Sequence, residues 1–142
     1  MIPFLDLYRQ FKTIDVSINN AIEQTIVNSS YIGGDSVKEF ENSYSEFLGI
    51  NHTIGCANGT DALQIAFMAL DLKPGDEIIC PSWTYIATAE AAAILGIKVV
   101  FCDVDLDTFN TRADLIEPHI TDKTKAIVPV HLYGQSCDMD PI

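Results

Sequence analysis

The stretch Ile54–Pro81, IGCANGTDALQIAFMALDLKPGDEIICP, changes its pattern twice. A short apolar run ends at Cys56, and the turn-forming pair Asn58-Gly59 separates it from apolar residues that recur at helical spacing. The segment Lys73-Pro74-Gly75-Asp76 then favours a turn before a second apolar run. A strand, a helix and another strand in this order predict a β-α-β unit.

The same alternation continues toward the C-terminus, where short apolar runs are separated by helical stretches. Pro129 conflicts with the last of these strands because it removes a ladder donor, so we expect it near the strand end or at an edge. The alternation predicts an α/β layer with a mostly parallel sheet flanked by helices. The predicted strands are His52–Cys56, Glu77–Cys80, Lys98–Phe101 and Ala126–Val130, and the predicted helices are Thr60–Leu72, Thr84–Leu95 and Arg112–His119.

Two helices are predicted before this layer. Apolar residues recur at helical spacing over Ile14–Ile26 and again over Val37–Leu48. Ser36 is the expected cap of the second helix, and Gly49 is expected to end it. We therefore expect N-terminal helices at about 13–48 and an α/β part at about 52–142.

The last residues, Asp138–Ile142, combine an acidic first turn with a proline, which is typical of the start of a helix. We expect the chain to be a fragment of a longer protein.

The composition argues against several classes of function. A formal net charge of −12 opposes nucleic-acid binding, which depends on Lys and Arg beside phosphates. No secretory leader or membrane-spanning stretch is recognised, so we expect a cytoplasmic protein without a membrane partner. The four cysteines show neither a CxxC pair nor zinc-ligand spacing, and we expect buried, reduced thiols and no metal site.

The segment Gly59-Thr60-Asp61 begins the helix that follows the first predicted strand. The first amides of a helix have no intrahelical partner, Gly59 leaves room for close approach, and the Thr60 hydroxyl adds a donor. The segment therefore suits a phosphate or another anion. An ordinary N-cap, in which Asn58 or Thr60 satisfies its own helix, is the alternative.

Two more polar segments follow strands at the same predicted sheet edge. Trp83 and Tyr85 come after the second strand, where either ring could stack on a planar ligand or pack in the core. His131, Tyr133 and Gln135 follow the last strand. A histidine in this position is as often a hydrogen-bonded structural residue as a catalytic one.

Taken together, ordered motifs along nearly the whole chain resemble the DegT/DnrJ/EryC1/StrS sugar aminotransferases. The motifs are Ile2–Leu7, Tyr31–Gly34, Phe40-Glu41, Cys56–Leu63, Pro74–Glu77, Thr84–Glu90, Thr124–Ile127 and His131–Gln135. The resemblance implies the N-terminal part of the large domain of a fold-type I transferase that depends on pyridoxal 5′-phosphate. The rest of that domain and a C-terminal small domain would be absent from these residues.

The resemblance also implies a reaction and a set of contacts. An amino group would pass from glutamate to a keto group of a nucleotide-linked sugar, for polysaccharide or amino-sugar biosynthesis. Gly59, Thr60 and Asp61 would surround the cofactor phosphate. Tyr85 would stack on the pyridine ring, which leaves Trp83 as a neighbouring packing residue.

On the substrate side, the resemblance places Tyr31, Gly33, His131, Tyr133 and Gln135. It further implies a homodimer, because members of the family build each active site from two subunits. The sugar would be aminated at a 3-keto position of a UDP- or dTDP-linked substrate.

No catalytic residue is assigned within the 142 residues. The Schiff-base lysine of the family is expected downstream of Ile142, and none of the six lysines matches its motif: Lys12, Lys38, Lys73, Lys98, Lys123 and Lys125. One alternative is the sugar 3-dehydratase branch, which has histidine in place of that lysine. A second is a non-catalytic fragment that binds a phosphorylated ligand or associates with another chain.

Overall fold

A computed structural model describes residues 3–142. Ile2, the first residue of the predicted N-terminal motif, lies outside the described residues. The chain divides into two units, Met1–Gly55 and Cys56–Ile142.

From residue 3 onward, the N-terminal unit has three helices, and two of them match the predicted ones. They are α1 at Leu7–Lys12, α2 at Asp15–Val27 and α3 at Asp35–Leu48. Gly49 ends α3 in the left-handed conformation, as predicted. The predicted cap at Ser36 is wrong, because α3 already begins at Asp35. Gly34 occupies the N-cap position with φ 95°, which favours glycine, and makes no side-chain cap.

The predicted strand at His52–Cys56 is also wrong, because this segment has irregular backbone. Two side chains of α3 bind polar groups of this segment. The Gly55 amide donates to Glu41 Oε1 at 2.7 Å, and the Ser45 and Thr53 hydroxyls are hydrogen-bonded at 2.7 Å. An apolar run without a partner strand therefore stays irregular.

The C-terminal unit contains a parallel three-stranded sheet with strand order β2-β1-β3. The strands are β1 at Glu77–Pro81, β2 at Lys98–Cys102 and β3 at Thr124–Ile127. The helices are α4 at Gly59–Ala69, α5 at Ala87–Ile94 and the short α6 at Ala113–Ile116, which a 3-10 turn at Glu117–His119 extends. Parallel strands connected by helices confirm the predicted α/β layer.

Helices cover both faces of β1, every residue of which is buried. Ile78 packs in a cluster with Phe67 of α4 and the alanines of α5, while Ile79 packs with Cys102 and Ile116 of α6. Neighbouring residues of a strand point to opposite faces, so one strand contributes to two apolar clusters. The central strand thus fixes the loops at its carboxyl end.

Several predicted boundaries require correction. β3 ends at Ile127, so Pro129 lies just beyond it, where its missing donor costs no ladder bond. The helix predicted over Arg112–His119 is shortened to one α-turn and a 3-10 turn that contains Pro118. Asp138–Ile142 has irregular backbone, and a helix that starts there stays a prediction. Across residues 3–142, no helix has the length and apolar character needed to cross a lipid bilayer.

A buried carboxylate stabilises the amino end of β1. Glu77 is 5% exposed and accepts hydrogen bonds from Lys98 Nζ at 2.8 Å and Thr121 Oγ1 at 2.7 Å. These two donors hold the pKa of Glu77 below its ordinary value of 4.5. Glu77 therefore serves the fold at the sheet edge opposite to the carboxyl ends of the strands.

Candidate functional site

Loops after β1 and β3 together line a cleft of about 520 Å³. The loop after β1 contributes Ser82–Tyr85, and the loop after β3 contributes Leu132 and Tyr133. The two strands are neighbours and parallel, so their carboxyl ends lie at the same edge of the sheet. Ligands of α/β sheets usually bind at this edge.

Tyr85 and Trp83 both line this cleft, but their surroundings differ. The Trp83 ring lies 6.3 Å from the Phe109 ring and is tilted by 34°. This contact fits the predicted packing role of Trp83, although Trp83 is still 56% exposed and borders the cleft. The Tyr85 ring is 79% exposed and is the aromatic surface more open to a planar ligand.

The helix α4 begins at Gly59, as predicted. The Asn58 side chain caps it: Oδ1 accepts from the Asp61 amide at 3.0 Å, and Nδ2 donates to Asp61 Oδ2 at 3.2 Å. The alternative of an N-cap by Asn58 is thus confirmed for the Asp61 amide, which is not a free donor. The amides of Gly59 and Thr60, at the first two helical positions, have no intrahelical acceptor.

The space beside this first turn is open. A Cβ placed on Gly59 would meet no atom within 4 Å, and Thr60 is half-buried. Two orphan amides, a hydroxyl and a glycine at a helix N-terminus suit a phosphate group, whose charge the helix dipole favours. The residues present thus fit a phosphorylated cofactor. A phosphate contact from Asp61 stays a prediction, and its amide would then be shared with Asn58.

The loop from His131 to Gln135 has an unusual backbone. Tyr133 has φ 56° and Gly134 has φ 81°, both in the left-handed region. The Cys137 amide donates to His131 Nδ1 at 3.0 Å, so this nitrogen acts as an acceptor and the neutral ring bears its proton on Nε2. Tyr133 is 84% exposed at the tip of the loop.

Asn110 and Thr111 support this site, and the sequence pattern did not indicate them. Asn110 is 4% exposed, accepts from the Leu132 amide at 3.0 Å and donates to the Gln135 carbonyl at 2.9 Å. Thr111 is 1% exposed, and its hydroxyl contacts Cys102 Sγ at 3.2 Å and the Asp103 carbonyl at 3.3 Å. Asn110 ends a turn that begins at Asp105, and Thr111 comes directly after it, so the sequence pattern singles out neither residue.

The predicted substrate-side residues Tyr31 and Gly33 lie in the N-terminal unit. Tyr31 is 67% exposed, and its hydroxyl is 3.5 Å from the Ile26 carbonyl. Gly33 follows with φ 64°, in a conformation that favours glycine. Their role toward a substrate stays a prediction.

Three of the four cysteines are buried, as expected, but Cys56 is exposed. Burial raises the pKa of Cys80 to about 11, and Cys102 adds to the effect. Burial also raises the pKa of Cys102, partly offset by its hydrogen bond with Thr111. Neither strand thiol is therefore disposed to ionise or react near neutral pH.

The chain is similar to known sugar aminotransferases. It is 49% identical over 142 residues to UDP-2-acetamido-2-deoxy-3-oxo-D-glucuronate aminotransferase of Pseudomonas aeruginosa, covering all of this chain and 40% of that protein. The structure matches DesV of S. venezuelae, solved with a ketimine intermediate, with TM-score 0.92 and 36% identity over 99% of this chain and 38% of that one.

A second solved structure is NtdA from Bacillus subtilis with the bound cofactor PMP. It matches with TM-score 0.90 and 36% identity over 99% of this chain and 33% of that one. These matches confirm the predicted fold class. They also confirm the predicted cofactor, since such relatives use pyridoxal phosphate chemistry. The chain spans about 40% of the length of the curated relative from Pseudomonas. Residues 12–142 match the family described as the DegT/DnrJ/EryC1/StrS aminotransferase family, and the chain belongs to that family.

Proposed function

We propose that these residues form the cofactor cradle of a pyridoxal 5′-phosphate-dependent aminotransferase that acts on a nucleotide-linked keto sugar. The observation that supports this most strongly is the 49% identity, over the whole chain, to a UDP-linked 3-oxo-sugar aminotransferase. By the same similarity, we propose a 3-keto group on a UDP-linked sugar as the acceptor and glutamate as the amino donor.

The cradle is proposed to hold the cofactor at two places. The amides of Gly59 and Thr60, together with the Thr60 hydroxyl, would bind its phosphate. The exposed ring of Tyr85 would stack on the pyridine ring and shield that face from water. When bound, the cofactor supplies an electron sink, and the protein supplies orientation and electrostatics.

The substrate is proposed to enter beside Tyr133, on the wall of the cleft that faces the Tyr85 loop. His131 offers an Nε2 donor and Gln135 an amide, which suit the hydroxyl and phosphate oxygens of a sugar nucleotide. Tyr31 and Gly33 are also proposed to contact the substrate. We further propose a cytoplasmic homodimer that serves cell-surface polysaccharide or amino-sugar synthesis, on the strength of the family resemblance alone.

The cleft has no lysine among the residues that line it. Lysines outside the cleft form ion pairs with acidic residues; for example, Lys98 pairs with Glu77 and Lys73 pairs with Asp71. We propose that the covalent anchor of the cofactor is a lysine outside residues 1–142. These 142 residues alone are accordingly expected not to transaminate.

The test is an amino-transfer assay on the full-length protein, meaning the product of the reading frame that contains these residues. With pyridoxal phosphate, glutamate and a UDP-linked 3-keto sugar, we expect an amino-sugar nucleotide and 2-oxoglutarate, detected by mass spectrometry. Borohydride reduction followed by peptide mapping should label a lysine beyond Ile142. The 142-residue chain is the control.

Other outcomes would contradict this proposal in distinguishable ways. A protein that leaves the 3-keto substrate unchanged but removes the 3-hydroxyl of a 4-keto sugar nucleotide as water, without leaving an amino group on the product, would indicate the 3-dehydratase reaction. Binding of the cofactor with no turnover by the full-length protein would indicate a non-catalytic role. Borohydride labelling of one specific lysine within residues 1–142, together with amino transfer, would show that the catalytic centre has been misplaced.

A further inference from the structure

The side chain of Asn110 holds both ends of the loop that forms one wall of the cleft. It accepts from the Leu132 amide at 3.0 Å and donates to the Gln135 carbonyl at 2.9 Å. With 4% exposure it is shielded from solvent, so neither contact is easily replaced by water. A single amide group therefore spans the loop tip at Tyr133-Gly134.

This loop needs support because its tip is sterically disfavoured. Tyr133 adopts φ 56°, which a side chain with a Cβ rarely does. The backbone bonds of the loop are local: the Leu132 amide also donates to the Val130 carbonyl at 3.0 Å, the Gly134 amide to the His131 carbonyl at 3.2 Å and the Gln135 amide to the Leu132 carbonyl at 3.0 Å. Support from outside the loop keeps Tyr133 in its exposed position on the cleft.

The turn that contains Asn110 also contacts the opposite wall. Asp105 begins it, the Phe109 amide donates to the Asp105 carbonyl at 2.8 Å, and the Asp105 amide donates to the Asn110 carbonyl at 3.0 Å. Phe109 packs against Trp83, which belongs to the loop after β1. One turn after β2 thus contacts both loops that line the cleft.

We propose that Asn110 is a positioning residue for the substrate side of the site. By fixing the loop after β3, while its neighbour Phe109 supports the loop after β1, it sets the separation between Tyr133 and Tyr85. The inference rests on the proposed function, because it assigns this cleft wall to the sugar nucleotide. Asn110 itself is buried and is not among the residues that line the cleft.

The experiment compares Asn110→Ala with Thr111→Val in the full-length protein. Thr111 is the matched control: it is the adjacent buried residue, and its hydroxyl bonds to Asp103 and Cys102 but not to the loop. Asn110→Ser is a milder second variant, since its shorter side chain cannot span both loop partners. Hydrogen exchange at Leu132, steady-state kinetics and cofactor affinity are measured for each.

Asn110→Ala removes two hydrogen bonds to the loop, and the Leu132 amide keeps only the Val130 carbonyl as acceptor. We expect exchange at the Leu132 amide to rise about threefold or more, and the KM for the sugar nucleotide to rise about tenfold. The kcat should stay within about threefold and the cofactor affinity should not change, because this wall serves substrate binding. Thr111→Val should change neither the exchange of Leu132 nor KM. Asn110→Ser should shift both in the same direction as alanine.

Equal KM values in the Asn110 and Thr111 variants would overturn this proposal while leaving the proposed function intact. Faster exchange at Leu132 without any change in KM would also overturn it, because the loop would then be irrelevant to the substrate. If the wild-type protein does not transaminate, the proposed function fails, and the same comparison is made with the dissociation constant for UDP-N-acetylglucosamine by calorimetry. A wild-type protein that neither transaminates nor binds this probe would overturn both proposals.

Discussion

Replacing Gly59 with alanine should change fold stability and cofactor affinity in opposite directions. Gly59 is the first residue of α4, its φ lies outside the left-handed region, and an added Cβ would meet no atom within 4 Å. Alanine can thus adopt the native backbone and restricts the unfolded chain. We expect the apo protein to gain about 0.4–1 kcal/mol in its free energy of unfolding.

The same methyl group should weaken binding of pyridoxal phosphate. The open space beside Gly59 is where the phosphate is proposed to approach the Gly59 and Thr60 amides. A Cβ there forces the phosphate outward and lengthens at least one charge-assisted hydrogen bond. We expect the dissociation constant to rise about tenfold, which corresponds to about 1.4 kcal/mol.

The two quantities are measured by urea unfolding of the apo protein and by absorbance titration with pyridoxal phosphate, both on the full-length protein. Ala66→Gly is the matched control, because Ala66 lies on the exposed side of the same helix, away from its first turn. It should lose about 1 kcal/mol of stability and keep full affinity. An unchanged affinity in Gly59→Ala would refute the phosphate assignment to this turn.

Tyr85→Ala should raise the dissociation constant for pyridoxal phosphate about tenfold in an absorbance titration while Tyr85→Phe stays near wild type, since the aromatic face is the proposed contact; equal losses in both would point to the hydroxyl. Glu77→Gln should flatten the dependence of Tm on pH at acidic pH. The Lys98 contact lowers the pKa of Glu77, so its stabilisation is present above the ordinary value of 4.5 and is lost as the pH falls through the lower folded value; an unchanged pH profile would contradict this. Gly96→Ala should lower the free energy of unfolding in urea by about 1–3 kcal/mol, because Gly96 has φ 74° and the new Cβ would lie 3.2 Å from Pro74; a stability equal to wild type would show that the turn adapts.

The local signals of the sequence were sufficient for the α/β layer. Glu77–Pro81 is bounded by the Lys73–Asp76 turn and fully buried, and α4 begins where Asn58-Gly59 interrupts the apolar pattern. The local pattern of apolar and turn-forming residues indicates which segments are buried and where they end, and both signals are clear in these elements. The segment His52–Cys56 is apolar in the same way, but no strand within residues 3–142 pairs with it, and pairing is not a local property.

The candidate site was predictable only in part. Tyr85 and Tyr133 follow neighbouring parallel strands, so their shared edge could be inferred from the alternation of elements. Asn110 could not be found in this way, because its partners Leu132 and Gln135 are 22 and 25 residues away in the sequence. In the sequence Asn110 resembles any other turn residue. Its contacts with Leu132 and Gln135 form only because the loop after β3 lies beside it in the folded chain.

The most direct test of the cofactor cradle is a crystal structure of the full-length protein with pyridoxal phosphate. We expect the phosphate oxygens to lie within hydrogen-bond distance, about 2.7–3.2 Å, of the Gly59 and Thr60 amides. The Tyr85 ring should stack on the pyridine ring. A phosphate bound away from the first turn of α4, with Tyr85 not in contact with the cofactor, would contradict the account.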